Sequence, residues 1–334
     1  MKDRVLPVAL IAIGLIWLLF ATGFVPASLG VALGRFWPLL LIGAGLDVWI
    51  PERRPLAVYF TAWAAALILV LGIFLSGRGL TGGEHEVNRV LDAGTQRVTF
   101  EVHNGSAEAN LRTSAQGQTL VYARFTGDPV GNVQVSDGRT STVRIRPDNS
   151  FFNPFGARTR WDIDVPGTVP LDMRLDGGSG PLVADLTGSL LESLSLDVGS
   201  GPSTLDLPGG GTPYRVEVDG GSGPVTVSFA PGASVDMSAE LGSGPTRIRV
   251  GEGTDMRLVL DTGSGPLELD LPDSAPIRLT IEDDGSGPLS LPRFLERRTG
   301  RGDTGVWESS NLGNGGRVID VTLEDVGSGP VTIR

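Results

Sequence analysis

The chain has 334 residues, no cysteine, two histidines and a formal net charge of −11. The missing cysteines exclude disulfides, thiolate metal sites and cysteine nucleophiles, and the acidic surplus argues against a nucleic-acid partner, which needs a Lys/Arg face. Composition changes abruptly near Gly77: almost everything before it is apolar, and nearly all the acidic residues come after it in a steady rhythm of Gly, Ser, Asp and Pro. Two different solvents are therefore written into one chain.

The apolar part contains three stretches, Val5 to Phe24, Val31 to Ile50 and Ala57 to Ser76, each close to the ~20 residues that span a ~30 Å hydrocarbon core. They are read as transmembrane helices of a region covering residues 1–78, in contact with the lipid bilayer, with 79–95 as a linker. Lys2 and Arg4 ahead of the first stretch also fit a signal peptide, but an apolar run this long with two more behind it favours retention. Lys2, Arg4, Arg53 and Arg54 outnumber Arg35 of the first loop, which places the N-terminus in the cytoplasm and, after three crossings, the rest of the chain outside. Arg35 and Asp47 lie near helix ends, where they can reach the interface.

From Gly178 onward Gly-Ser-Gly-Pro recurs seven times, starting at Gly178, Gly199, Gly221, Gly242, Gly263, Gly285 and Gly327, with spacings of 21, 22, 21, 21, 22 and 42. A fixed period in this range marks a stacked repeat. Side chains alternate around each motif, as in Leu182, Ala184, Leu186 and in Val225, Val227, Phe229, and a period of two means strands. Each unit reads as strand, Gly-Ser-Gly-Pro corner, strand and second turn (Pro208-Gly209, Pro231-Gly232, Pro272-Asp273). The expected fold is an all-β parallel β-solenoid over residues 96–334, glycine-cornered, with coils of ~21 residues stacked ~4.8 Å apart; an antiparallel array of hairpins is the alternative. Glycine is expected to supply positive φ and close packing at the corner, and proline to open a strand. The segment from Glu84 to Leu171 lacks the full motif but keeps alternating runs, with His103-Asn104-Gly105-Ser106 as a degenerate corner. Leu291 to Gly316 breaks the period and reads as a loop projecting from one coil.

An acid stands two residues before every Gly-Ser-Gly-Pro: Asp176, Asp197, Asp219, Glu240, Asp261, Asp283 and Asp325. Stacked in register these make an acidic ladder, in which neighbours ~4.8 Å apart repel by about 1 kcal/mol at the dielectric of water. Either each carboxylate accepts hydrogen bonds from the corner amides, or the ladder binds Ca²⁺ or a cationic partner. The glycine-rich calcium β-roll motif is not matched, because Gly177-Gly178-Ser179-Gly180-Pro181 is followed by Leu182. With His85 and His103 as the only histidines, no zinc signature and no Gly-x-Ser-x-Gly elbow, no hydrolase site can be assembled. No cofactor is expected, and the chain reads as a non-enzyme. Arg301-Gly302-Asp303 spells an adhesion tripeptide, a match too short to carry a function.

Arg35-Phe36-Trp37-Pro38-Leu39-Leu40-Leu41-Ile42-Gly43-Ala44-Gly45-Leu46 resembles the signature of the bacterial LiaI/LiaF-like transmembrane region, and the Gly-Ser-Gly-Pro array resembles toast-rack or adhesin-type β-solenoid domains. The resemblance covers nearly the whole chain in the LiaF order. It implies a non-enzymatic cell-envelope stress protein that contacts a membrane sensor kinase or another envelope protein; the rival is a surface adhesin or spacer binding an external ligand or polysaccharide. Three apparent spans, where the family pattern has four, leave the side of the membrane open.

Overall fold

The computed structural model describes residues 84–115, 117–127, 131–147, 159–283, 285–313 and 316–334. The three expected membrane spans lie outside the described residues, and among those described no helix is long and apolar enough to cross a membrane. The chain divides into two compact units, one led by Met1–Gly83 and one comprising Glu84–Thr126, Val130–Asp148 and Thr159–Arg334.

The second unit is all β. Its first strands are β1 (Glu84–Val90), β2 (Arg97–His103), β3 (Glu108–Thr113), β4 (Thr119–Thr126), β5 (Gly131–Ser136), β6 (Thr140–Pro147) and β7 (Arg160–Val165). The regular repeats come next as β8 (Pro170–Gly177), β9 (Leu182–Asp185), β10 (Leu190–Val198), β11 (Ser203–Leu207), β12 (Tyr214–Asp219), β13 (Val225–Phe229), β14 (Ser234–Glu240), β15 (Thr246–Val250), β16 (Asp255–Thr262) and β17 (Leu267–Asp270). The chain ends with β18 (Ile277–Ile281), β19 (Leu289–Ser290), β20 (Leu295–Arg301), β21 (Thr304–Ser309), β22 (Ile319–Val326) and β23 (Val331–Ile333). Residues 84–90, expected as linker, are thus a strand of the β-unit.

Two sheets result, of 11 strands in the order β1-β4-β7-β3-β9-β11-β13-β15-β17-β23-β19 and of 12 strands in the order β20-β21-β18-β22-β16-β14-β12-β10-β8-β2-β6-β5. From β8 to β17 the chain crosses from one sheet to the other at every Gly-Ser-Gly-Pro, and each strand pairs in parallel with its counterpart one repeat away. The parallel stack expected of the repeat is thus present, built as two sheets, in place of the alternative array of hairpins; among the described residues antiparallel pairing is confined to the ends.

The stack holds together because alternate side chains point between the sheets. Leu196, Val218, Ala239, Leu260 and Leu323 occupy matching places in five neighbouring layers and are all essentially buried. One apolar core runs from Val98 to Ile333, each buried Val or Leu contributing about 1.5–3 kcal/mol. No single layer could bury its inner face alone.

The corners work differently from expectation. Of the Gly-Ser-Gly-Pro glycines only Gly285 has a positive φ, of 48°. The others are glycine because a side chain has no room: a Cβ on Gly223 would sit 2.1 Å from the Gly201 carbonyl oxygen, and one on Gly201 2.2 Å from that of Gly180. Backbone stacks on backbone at these corners. Their amides bond to the adjacent layer, Ser200 and Gly201 N–H both donating to Gly178 O, and Ser222 and Gly223 N–H to Gly199 O. His103 to Ala107 form the corner of the β2/β3 layer, where Gly105 O accepts from Ser179 and Gly180 N–H. Buried Asn104 completes it, donating to Ala107 O at 2.9 Å and accepting from Gly178 N–H at 3.0 Å.

Layer order departs from chain order at both ends. The β22/β23 layer lies between β16/β17 and β18/β19, and the β2/β3 layer lies between β6/β7 and β8/β9. The segment Leu291 to Gly316 is therefore no projecting loop over its described residues. Its β20–β21 hairpin pairs antiparallel with β18 and closes one end of the larger sheet. Ser309 anchors it, accepting from Ile277 N–H at 2.8 Å and donating to Asn311 Oδ1 at 2.6 Å. Near the second turns, Arg317 donates to Gly232 O at 2.6 Å and Gly253 O at 2.9 Å, tying the inserted layer to two of the repeats.

Candidate functional site

The outer face of the 12-stranded sheet carries three rows of side chains, one place per layer. The row nearest the second turns runs Asp172, Ser193, Arg215, Asp236, Arg257, Asp320, Arg278 and Glu308 through the strand register. From Arg215 onward its charges alternate in sign. Arg278 Nε lies 3.3 Å from Glu308, and Arg97 caps the start at 3.1 Å from Asp172. The middle row includes Arg144, Glu101, Arg174, Ser195, Glu217 and Ser238. There the Arg144 guanidinium, hydrogen-bonded at 2.7 Å, holds the Glu101 carboxyl below the usual carboxylate range.

The third row, beside the Gly-Ser-Gly-Pro corners, is the predicted acidic ladder. Asp176, Asp197, Asp219, Glu240, Asp261 and Asp325 are direct register partners in successive layers. A bulge between β16 and β22 sets Glu324 beside this row. Asp283 lies just past the end of β18 and accepts from Gly285 N–H at 3.3 Å. That is the corner bond expected of all seven acids, and it is seen only there. At the other corners the neighbouring glycine carbonyls take the amides, which leaves the carboxylates facing solvent in a shallow groove.

Ion pairing is denser elsewhere on the surface. On the opposite sheet Arg112 pairs with Asp164 at 2.6 Å, Arg334 with Asp270 at 2.6 Å, and Arg247 with Glu268. Among the described residues only Asp176 of the acidic row has a side-chain partner, the His103 ring 2.6 Å away, and no Lys or Arg pairs with Asp197, Asp219, Glu240, Asp261 or Asp325. His103 stands where the other layers place an acid, two residues before the corner glycine Gly105. The spacing of the degenerate corner could have shown this, and sequence reasoning missed it. The alternating first row was also missed, since its members become neighbours only through the register.

Carboxylates strung along a line do not converge, and among the described residues no group of three His, Cys, Asp or Glu side chains could hold a metal ion. Arg301, Gly302 and Asp303 form the exposed turn of the β20–β21 hairpin, where Arg301 pairs with Thr304 and Gly302 has φ 61°.

The uncompensated row stores repulsion, and a single neutral substitution should release part of it. Asp219→Asn, which removes one charge between Asp197 and Glu240, is expected to stabilise the fold by about 0.5 kcal/mol at low salt. The gain should fade as added salt screens the row. Thermal melts at two ionic strengths check this, and a melting point lowered in both would show that the carboxylate holds the corner after all.

Residues 82–228 match the model of the N-terminal domain of toast_rack, DUF2154, and residues 4–48 match that of the LiaI-LiaF-like transmembrane region. Among solved structures, a candidate cell adhesion protein from Clostridium sporogenes is 14% identical, covering 75% of this chain and 100% of its own, with a TM-score of 0.37. A candidate adhesin from Parabacteroides distasonis is 12% identical, covering 76% and 98%, with a TM-score of 0.34. A candidate lipid binding protein from the same organism is 14% identical, covering 75% and 96%, with a TM-score of 0.30. No curated protein matches the chain. In chain order, then, the apolar N-terminal part matches a LiaI-LiaF-like transmembrane region over residues 4–48, which suggests association with the membrane, and the start of the β-repeats matches an N-terminal toast_rack domain over residues 82–228.

Proposed function

We propose that this is a membrane-anchored, non-enzymatic envelope protein whose β-domain lies outside the cytoplasm and senses or regulates cell-envelope stress through protein contacts. The observation that carries the reading is the uncompensated acidic row. The fold forms ion pairs on its other rows and, among the described residues, leaves five carboxylates in succession without a cation, along a groove suited to an extended cationic surface of a partner. A membrane sensor kinase is the partner class that the LiaF-like architecture suggests.

The exposed corner serine Ser222 gives a direct test in this cysteine-free chain. Ser222→Cys should react with a membrane-impermeant maleimide in intact cells, and a photo-crosslinker attached there should capture a membrane kinase or another envelope protein. Adding Asp197→Asn, Asp219→Asn and Glu240→Gln should abolish that capture. Labelling only after lysis would overturn the orientation, and capture unaffected by the three neutral substitutions would remove the acidic row from the contact. Capture of cell-wall glycan in place of protein would favour the rival reading, an adhesin or spacer.

A further inference from the structure

Each free sheet edge is a template for another strand, and among the described residues three of the four sheet edges are blunted. β19 has two residues, β20 carries a bulge between Arg297 and Thr299 and a run of exposed charges, and β5 is six residues long with a polar outer face. The fourth edge differs. β1 is seven residues long, pairs with β4 alone, and is exposed along its length except for half-buried Val87. It adds almost nothing to the core. Beneath it, β4 contributes Leu120, Val121, Ala123 and Phe125, all essentially buried, and is held independently by β7 on its other side.

What fixes β1 is a backbone ladder and a small polar cluster. Glu84 Oε1 lies 3.1 Å and Glu86 Oε1 2.8 Å from the Arg124 guanidinium, and Tyr122 donates its hydroxyl to Glu86 at 3.0 Å. His85 stacks on Phe125 with ring centres 6.4 Å apart. Exposed ion pairs of this kind contribute little, so this strand belongs to the low-stability end of the fold.

We propose that β1 is a detachable strap, and that the β4 edge beneath it accepts an extended segment of another protein with carboxylates at alternate positions. Release of β1 leaves an intact core, an unpaired antiparallel edge and an Arg124 guanidinium that keeps its bond to the Tyr122 hydroxyl at 3.0 Å but loses both glutamates. A strand entering antiparallel to β4, with acids spaced as Glu84 and Glu86 are, restores the ladder and neutralises the guanidinium; this is β-strand addition with a charge key. The proposal rests on the β1 edge alone and does not depend on the acidic row.

Two measurements on the full chain in detergent test it. In hydrogen exchange, β1 amides should exchange at least ~100-fold faster than those of β7, without global unfolding; equal protection of the two strands would overturn the strap. A fluorescent synthetic peptide with the sequence of residues 84–90 should bind the full chain, and more weakly when both its glutamates are replaced by glutamine. Val87→Cys with Ala123→Cys places a disulfide across directly paired positions outside the Glu84–Glu86–Arg124–Tyr122 cluster; when oxidised it should block the peptide, and reduction should restore binding. Peptide that fails to bind the reduced protein, or binds the locked protein equally well, would overturn the acceptor edge.

Discussion

Gly223→Ala is expected to destabilise the β-domain by about 3 kcal/mol or more, lowering its melting point by roughly 6–12 °C for a domain of this size. The added methyl would meet the Gly201 carbonyl oxygen at 2.1 Å and its carbonyl carbon at 2.9 Å, and both belong to backbone held in the ladder. No side chain can move aside to admit it. Relief would require the two layers to separate, breaking the bonds that Ser222 and Gly223 N–H make to Gly199 O. The informative control is Gly253→Ala. Gly253 has a positive φ of 67°, and an alanine methyl there would have no neighbour within 4 Å, so only the left-handed backbone is penalised, at about 1 kcal/mol. Denaturant melts of the two variants in parallel decide the matter. Equal losses would mean that backbone conformation, and not layer contact, dictates glycine at the corners.

Ending the chain after Gly316 is expected to have a still larger effect. It removes β22 and β23, whose Ile319, Val321, Leu323, Val326, Val331 and Ile333 are buried against layers on both sides. The lost burial is on the order of 10 kcal/mol as an upper estimate. The β18–β21 cap would also lose the layer it stands on, because β18 reaches β16 only through β22. The expected result is proteolytic cleavage within residues 277–313 and a melting point lowered by more than about 10 °C, read by limited proteolysis with mass spectrometry and by thermal melts. Were the final layer simply the last in the stack, its removal would shorten the domain by one layer and leave residues 277–313 protected. Cleavage there thus tests the insertion directly.

The central repeats were legible because everything that builds them is local. Leu267, Leu269 and Leu271 alternate inward, Gly263 and Gly265 open the corner, and the interval between corners returns the chain to the same place one layer on. A repeat of nearly constant length leaves little freedom in register, so Asp197, Asp219, Glu240 and Asp261 had to fall in line. The reason for the glycines was not legible. A positive φ and a carbonyl oxygen pressed against the Cβ position demand the same residue, and only the stacked neighbour distinguishes them.

Sequence by itself determined an apolar N-terminal part, a cysteine-free acidic remainder, a β-repeat of ~21 residues and an acid two residues before every Gly-Ser-Gly-Pro corner. Tertiary structure alone decided which layers meet out of chain order, as β22 does between β16 and β18 and β2 between β6 and β8. It also decided which charges are answered: Arg215 meets Asp236 and Arg278 meets Glu308, while Asp219 meets only Asp197 and Glu240. The physical reason is common to both. Alternation and corner chemistry are properties of a few consecutive residues, whereas the neighbour across a ladder is chosen by how the whole stack closes its ends.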